Sequence, residues 1–249
     1  MTEVVRPSDV TTGEFDASLI APMEQDWEII SSSPLIGNPR DRCYILGDLA
    51  VLDPQRPISI VTEEDWQWFD ERTAWLNERD DVIVRNPLIK EMAKVDRERA
   101  CESFKPDELS KIWVPVLHRV LKGEESLGLF PASIQEELIY TDPDRTKRVF
   151  DEYKEAGWNA QRRYLDWLRF ESPAHVFTLL AALSEIDQDQ TLSLMEKSDW
   201  QLALEGLAYY RKNAAENGYR ITRLIAHLAA LKKLTPLFEQ LFQQESSNR

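Results

Sequence analysis

The rhythm of apolar positions divides the chain into stretches with different structural demands. Over residues 1–40, apolar residues are scattered among Ser, Thr, Pro and acids without a sustained period. Ser31-Ser32-Ser33-Pro34 and Gly37-Asn38-Pro39 read as loop. This stretch is expected to be an irregular arm, anchored by Trp27, Ile29 and Ile30. Next, Cys43-Tyr44-Ile45-Leu46 and Leu49-Ala50-Val51-Leu52 flank Gly47-Asp48, a pairing that suits a tight hairpin. Ile58-Ser59-Ile60-Val61 adds a third short strand, so a small antiparallel β element is expected over residues 42–61.

From Thr62 onward the pattern is helical. Thr62 caps a segment with Glu63, Glu64 and Asp65 in its first turn, where acids meet the positive end of the helix dipole. Asn86-Pro87, Asp142-Pro143 and Ser172-Pro173 repeat a capping residue followed by proline, a helix-start signature. Ser198 and Gln201 form a capping box, with Gly218 as the stop. Helices are expected near 62–79, 87–103, 107–122, 143–170, 173–185, 198–217 and 219–235, with a short one after Pro236 and a kink or end at Pro115.

Phe150, Tyr153, Gly157, Ala160, Tyr164 and Trp167 follow heptad spacing, with small residues that admit a close neighbour. Ile221, Leu224, Ile225, Leu228 and Leu231 form a second stripe. Residues 176–183 are apolar nearly all round, as in a central helix. The expected fold is therefore mainly α: a bundle of seven to eight helices plus the β element.

Charge sharpens this division. Acids outnumber bases 44 to 30 among 249 residues, a net charge of −14. Almost all of the excess lies before Thr141-Asp142, as do most of the 13 prolines. Three parts are expected: an arm over 1–40, an acidic α+β part over 41–141 and a helical part over 142–249, the last two able to form one continuous domain. The acidic total disfavours a nucleic-acid-coating surface. No signal-like segment and no apolar run of about 20 residues is present, so a cytoplasmic protein without a membrane partner is expected. Cys43 and Cys101 are too few for a disulfide scaffold.

Candidate chemistry is sparse. His118, His175 and His227 lack metal-ligand spacing and read as exposed or core-satisfied. Glu185, Asp187 and Asp189 depart from a calcium loop and read as a charged connector. Gly-rich phosphate loops and nucleophile elbows are absent, and no cofactor or metal is expected. The distinctive features are apolar. Trp66, Trp68, Phe69 and Trp75 crowd one carboxylate-rich helix, with Trp68 and Trp75 on one face and Trp66 and Phe69 on another. Leu237, Phe238, Leu241 and Phe242 form a second patch, able to fold back or dock elsewhere. Arg220, Arg223 and His227 share a helical spacing that could form a local phosphate-binding stripe.

The expectation is a non-catalytic interaction or assembly subunit that binds protein, or itself, through Trp66, Trp68, Phe69, Trp75, Leu237, Phe238, Leu241 and Phe242. Two alternatives are an enzyme with a dispersed site in a helical pocket, and an acidic decoy imitating nucleic acid. Convergent carboxylates of perturbed pKa in a cleft would favour the enzyme.

Overall fold

The structure, a computed structural model, describes residues 15–104, 113–124, 130–216 and 218–246. All its regular elements are helical, more of them than the seven or eight expected. In chain order they are α1 (Glu24–Ser31), α2 (Pro39–Leu52), α3 (Gln55–Ile60), α4 (Glu63–Glu78), α5 (Val82–Val95), α6 (Arg97–Cys101) and α7 (Val114–Leu121). They continue with α8 (Phe130–Thr141), α9 (Pro143–Glu171), α10 (Pro173–Ile186), α11 (Gln188–Leu194), α12 (Lys197–Ala214) and α13 (Gly218–Ser246).

The expected β element is corrected: residues 42–52 belong to α2, and α3 covers most of the expected third strand. Asn38 starts α2 by accepting the Arg40 amide on its side chain at 3.1 Å, with Pro39 in the first turn. Cys43, Ile45, Leu46, Leu49 and Leu52 are all buried, and so are Gly47 and Asp48 between them. A short helix buried on most sides has the same continuous apolar run as a strand. Gly47 serves a close helix contact rather than a turn. The described part of the arm also carries structure: Asp26 of α1 is buried and pairs with Arg211 of α12 at 2.8 Å.

Where caps and periodicity agree, sequence and structure coincide, as in α4, α9 and α10. Thr62 and Asp65 form the capping box of α4, and Asp142 caps α9. Elsewhere neighbouring signals prevail. Asp81 caps α5, which places Pro87 inside that helix. Glu196 and Asp199, not Ser198 and Gln201, box the start of α12. Gly218 opens α13, which continues through Pro236. Pro115 sits in the first turn of α7; residues 107–112 of that expected helix lie outside the described residues. α9 is interrupted at exposed Lys154, whose φ is 48°.

Among the described residues, five helices close a ring: α2 packs on α5, α5 on α8, α8 on α10, α10 on α13, and α13 back on α2. They run parallel, because later residues of one meet later residues of the next. Tyr44 and Asp48 of α2 neighbour Glu91 and Lys94 of α5. Lys90 and Lys94 of α5 face Glu136 and Tyr140 of α8. Glu136 and Tyr140 in turn sense His175 and Glu185 of α10, and Glu185 pairs with Lys233 of α13. Lys232 donates to the Leu52 carbonyl and closes the seam.

Outer helices return the chain between successive ring helices. α4 packs on α2 and α5, α7 and α9 pack on α8, α9 also packs on α10, and α12 packs on α10 and α13. The main core includes Phe150, Phe177, Leu180, Leu224, Leu228 and Phe238, all buried. A smaller cluster joins Cys43, Trp66, Phe69, Leu88 and Met92. A Cβ on Gly157 would crowd the Tyr153 Cβ of the same helix at 2.9 Å, while Leu121 of α7 stands at ordinary contact distance, 3.5 Å. Each fully buried large apolar side chain contributes roughly 1.5–3 kcal/mol.

Candidate functional site

The axis of the ring is a cavity of about 390 Å³, lined by all five ring helices. Two walls explain why it exists. α10 and α13 contribute small side chains, Thr178, Ala181, Ala226, Ala229 and Ala230, which leave the space open. α2, α5 and α8 contribute Asp48, Lys90, Glu91, Lys94, Glu136 and Tyr140. One end holds residues from the first two turns of their helices: Arg40, Asp41 and Tyr44 of α2, His175 of α10, and Tyr219, Thr222 and Arg223 of α13.

The charged wall is a chain of alternating sign. Lys94 contacts Asp48 at 3.0 Å and Glu91 at 2.6 Å. Lys90 contacts Glu91 at 3.0 Å and Glu136 at 3.1 Å. These carboxylates are nearly inaccessible, with Asp48 7%, Glu91 4% and Glu136 8% exposed. Moving such charges out of water costs several kcal/mol each, so a stability role for the chain is weak and an unpaired member is expensive. The approach of α5 to α2 is set at Gly47, which lies under Glu91.

Burial and pairing shape the proton affinities. Burial pushes the Asp48 carboxyl up to about 6, against the opposing charge of Lys94. Burial also opposes ionisation of Glu91, but Lys90 and Lys94 outweigh it and hold that carboxyl below the usual range. Burial disfavours charge on Lys90 and Lys94 too, yet Glu91, with Glu136 beside Lys90 and Asp48 beside Lys94, holds both above an ordinary lysine. Both ammonium groups are therefore fixed cations and poor nucleophiles. Next to the wall, burial raises the Glu137 carboxyl to about 8, and its Oε2 has no hydrogen-bond partner among the described residues. Burial, followed by the nearby charge of Arg223, lowers His175 and keeps its imidazole neutral at pH 7. Its Nδ1 lies 2.7 Å from the Ser172 hydroxyl.

The eight apolar residues expected to meet a partner occupy different environments. Trp66 and Phe69 are buried in the smaller cluster, in edge contact at 5.6 Å, and Trp68 packs partly buried against it. Leu237 and Phe238 are buried in the main core, with Leu241 and Phe242 packed on it: the C-terminal segment folds back on its own chain. Trp200 meets Phe238 at 5.3 Å. Trp66, Phe69, Leu237 and Phe238 are thus buried within the folded chain. Trp75 stays 39% exposed, flanked by Arg72 at 4.3 Å and Arg79 at 4.1 Å.

The expected basic stripe divides in space. Arg220 lies over the Tyr209 ring, Arg223 lines the cavity, and His227 is buried against Phe177. His227 is core-satisfied through Nε2 and the Ala203 carbonyl at 3.1 Å. His118 contacts the Tyr153 hydroxyl at 3.0 Å. Asp187 caps α11 and Glu185 pairs with Lys233, as befits a charged connector. Burial raises the Cys43 thiol to about 12 and also raises Cys101, so neither is a ready thiolate. Among the described residues, no group of three or more His, Cys, Asp and Glu side chains is placed to hold a metal ion. None of their helices is long and apolar enough to cross a membrane.

Sequence reasoning missed the cavity. Asp48, Lys90, Glu91, Lys94 and Glu136 belong to three separate helices and form no local motif. A signal was nonetheless present, because each stands among large apolar neighbours, as in Leu88-Ile89-Lys90-Glu91-Met92-Ala93-Lys94-Val95. No protein-family model, curated protein or solved structure matches the chain.

Proposed function

We propose that this protein is an enzyme that binds a small polar molecule in the lumen of the five-helix ring and moves a proton on it. The observation that carries the reading is the cavity itself: about 390 Å³ with one wall of buried, alternating charges. That volume suits a small molecule. Charges fixed in a low-dielectric wall can orient a ligand and stabilise developing charge without reorganising. Asp48 and neutral His175 are the proton-exchanging groups in this reading, because the lysines are locked in their charged form.

The test is untargeted mass spectrometry of a metabolite extract incubated with the full chain. The expected result is depletion of one compound and growth of a product with wild-type protein, and neither change with folded Asp48→Asn or His175→Gln. No change with wild type, or equal change with both variants, would overturn it.

A second reading, an assembly subunit, is supported by Trp75, an exposed indole between two guanidinium groups. In that case Trp75→Ala lowers the sedimentation coefficient of the assembly at micromolar concentration; identical sedimentation removes the reading. The decoy reading has less support, because Asp26, Asp48, Glu91, Glu136 and Glu137 are all buried rather than arrayed on a surface.

A further inference from the structure

We propose that the ligand carries an oxyanion, a carboxylate or phosphate group, which the guanidinium groups of Arg40 and Arg223 bind at the end of the lumen where α2, α10 and α13 begin. The inference rests on the lumen being a ligand site and adds which chemical group enters it and which residues receive it.

Both arginines line the cavity. Unlike Lys90 and Lys94, neither forms an ion pair with a carboxylate among the described residues. Each is instead steadied by a tyrosine four residues away on its own helix. Arg223 donates from Nε to the Tyr219 hydroxyl at 2.9 Å, with its guanidinium carbon 5.3 Å from the Tyr219 ring. The Arg40 guanidinium is near enough to Tyr44 to offset part of the rise that burial imposes on its hydroxyl. Tyrosine orients a guanidinium without neutralising it. In Arg223, Nε is committed and the two terminal nitrogens keep the planar fork that matches an oxyanion.

The surroundings favour negative charge. At this end the two guanidinium groups have Asp41 beside them, while Glu136 and Glu91, whose charges reach His175 and Tyr44, are already paired with Lys90 and Lys94. α2, α10 and α13 each turn an N-terminus this way, and each such end carries about half a positive charge. Ser172, at the N-cap of α10, makes no side-chain cap bond; its hydroxyl faces His175 instead. Deeper in, the ligand would meet the alternating wall, which suits a polar body behind the anionic head.

Isothermal titration calorimetry of the full chain with inorganic phosphate, acetate and ethylammonium as separate probes tests this. The proteins compared are wild type, Arg223→Gln and Ala226→Leu, which narrows the lumen, each checked for helix content by circular dichroism. The expected result is phosphate or acetate binding that is at least about tenfold weaker in Arg223→Gln, the loss of a charge-assisted hydrogen bond, and weaker again in Ala226→Leu. Whichever of the two binds tighter identifies the headgroup. Anion binding unchanged in both variants marks an adventitious surface ion only and overturns the inference. Ethylammonium binding that Ala226→Leu abolishes, without anion binding, overturns it while leaving the lumen as a site. No binding of any probe counts against both.

Discussion

A Cβ placed on Gly47 would lie 2.6 Å from both the backbone oxygen and the Oε2 of Glu91. The missing side chain of one residue thus fixes where the central carboxylate of the lumen wall stands. Replacing Gly47 by Ala gains helix propensity of about 1 kcal/mol but forces α2 and α5 apart. Overpacking costs typically 1–3 kcal/mol, so a net loss of about 1 kcal/mol is expected in denaturant unfolding. An unchanged or higher midpoint would show that α5 yields without cost.

Lys94 joins Asp48 to Glu91. Lys94→Met leaves two buried carboxylates facing each other, and removing one partner of a buried pair costs about 3–5 kcal/mol. Adding Asp48→Asn should restore a measurable part of that loss. A double-mutant cycle in urea measures the coupling, and strict additivity would mean that the two side chains do not interact.

Glu137 gives stability a dependence on pH with a definite sign. Its folded-state affinity for a proton is raised, to about 8 against an ordinary 4.5. Its contribution is therefore complete below about 4.5 and is lost as pH rises toward 8. Glu137→Gln should flatten the melting temperature against pH between those limits, read as the difference from wild type. A constant difference across the window would refute the raised affinity.

His227 acts with the opposite sign. Burial lowers it to about 4 from 6.5, despite its hydrogen bond to the Ala203 carbonyl. Its contribution is present above 6.5 and lost as pH falls toward 4. His227→Gln keeps an N–H for Ala203 and removes the titration, so acid should destabilise the variant less than wild type over that interval. Parallel curves would count against a buried neutral imidazole.

How much of this was readable in the sequence depends on whether the signal is local. Thr62 and Asp142 mark helix starts because a cap acts within one turn of the residues it serves, and Pro173 marks the start of α10 by its place in the first turn. The stripe through Ile221, Leu224, Ile225, Leu228 and Leu231 read correctly as a core face for the same reason. α2 did not, because burial on nearly every side erased the 3.6-residue alternation by which a helix is recognised. The lumen was less visible still. Lys90, Glu91 and Lys94 look like a solvated face until Asp48, 46 residues before Lys94, and Glu136, 46 after Lys90, are brought against them. Conversely, aromatic crowding in α4 and the apolar C-terminal segment mark packing: most of those side chains meet their partners within the chain.

The seam at which Lys232 reaches the Leu52 carbonyl joins residues 180 apart in sequence. A ribosome extending the chain has already released α2, α5, α8 and α10 when it begins α13, so four of the five staves stand assembled or waiting around an open gap. Contacts of such long separation are slow to form, and exposed apolar edges invite association in the interval. α13 is therefore the keystone of biogenesis. Chains truncated before it should accumulate as chaperone-bound or aggregated species, however well their separate helices form.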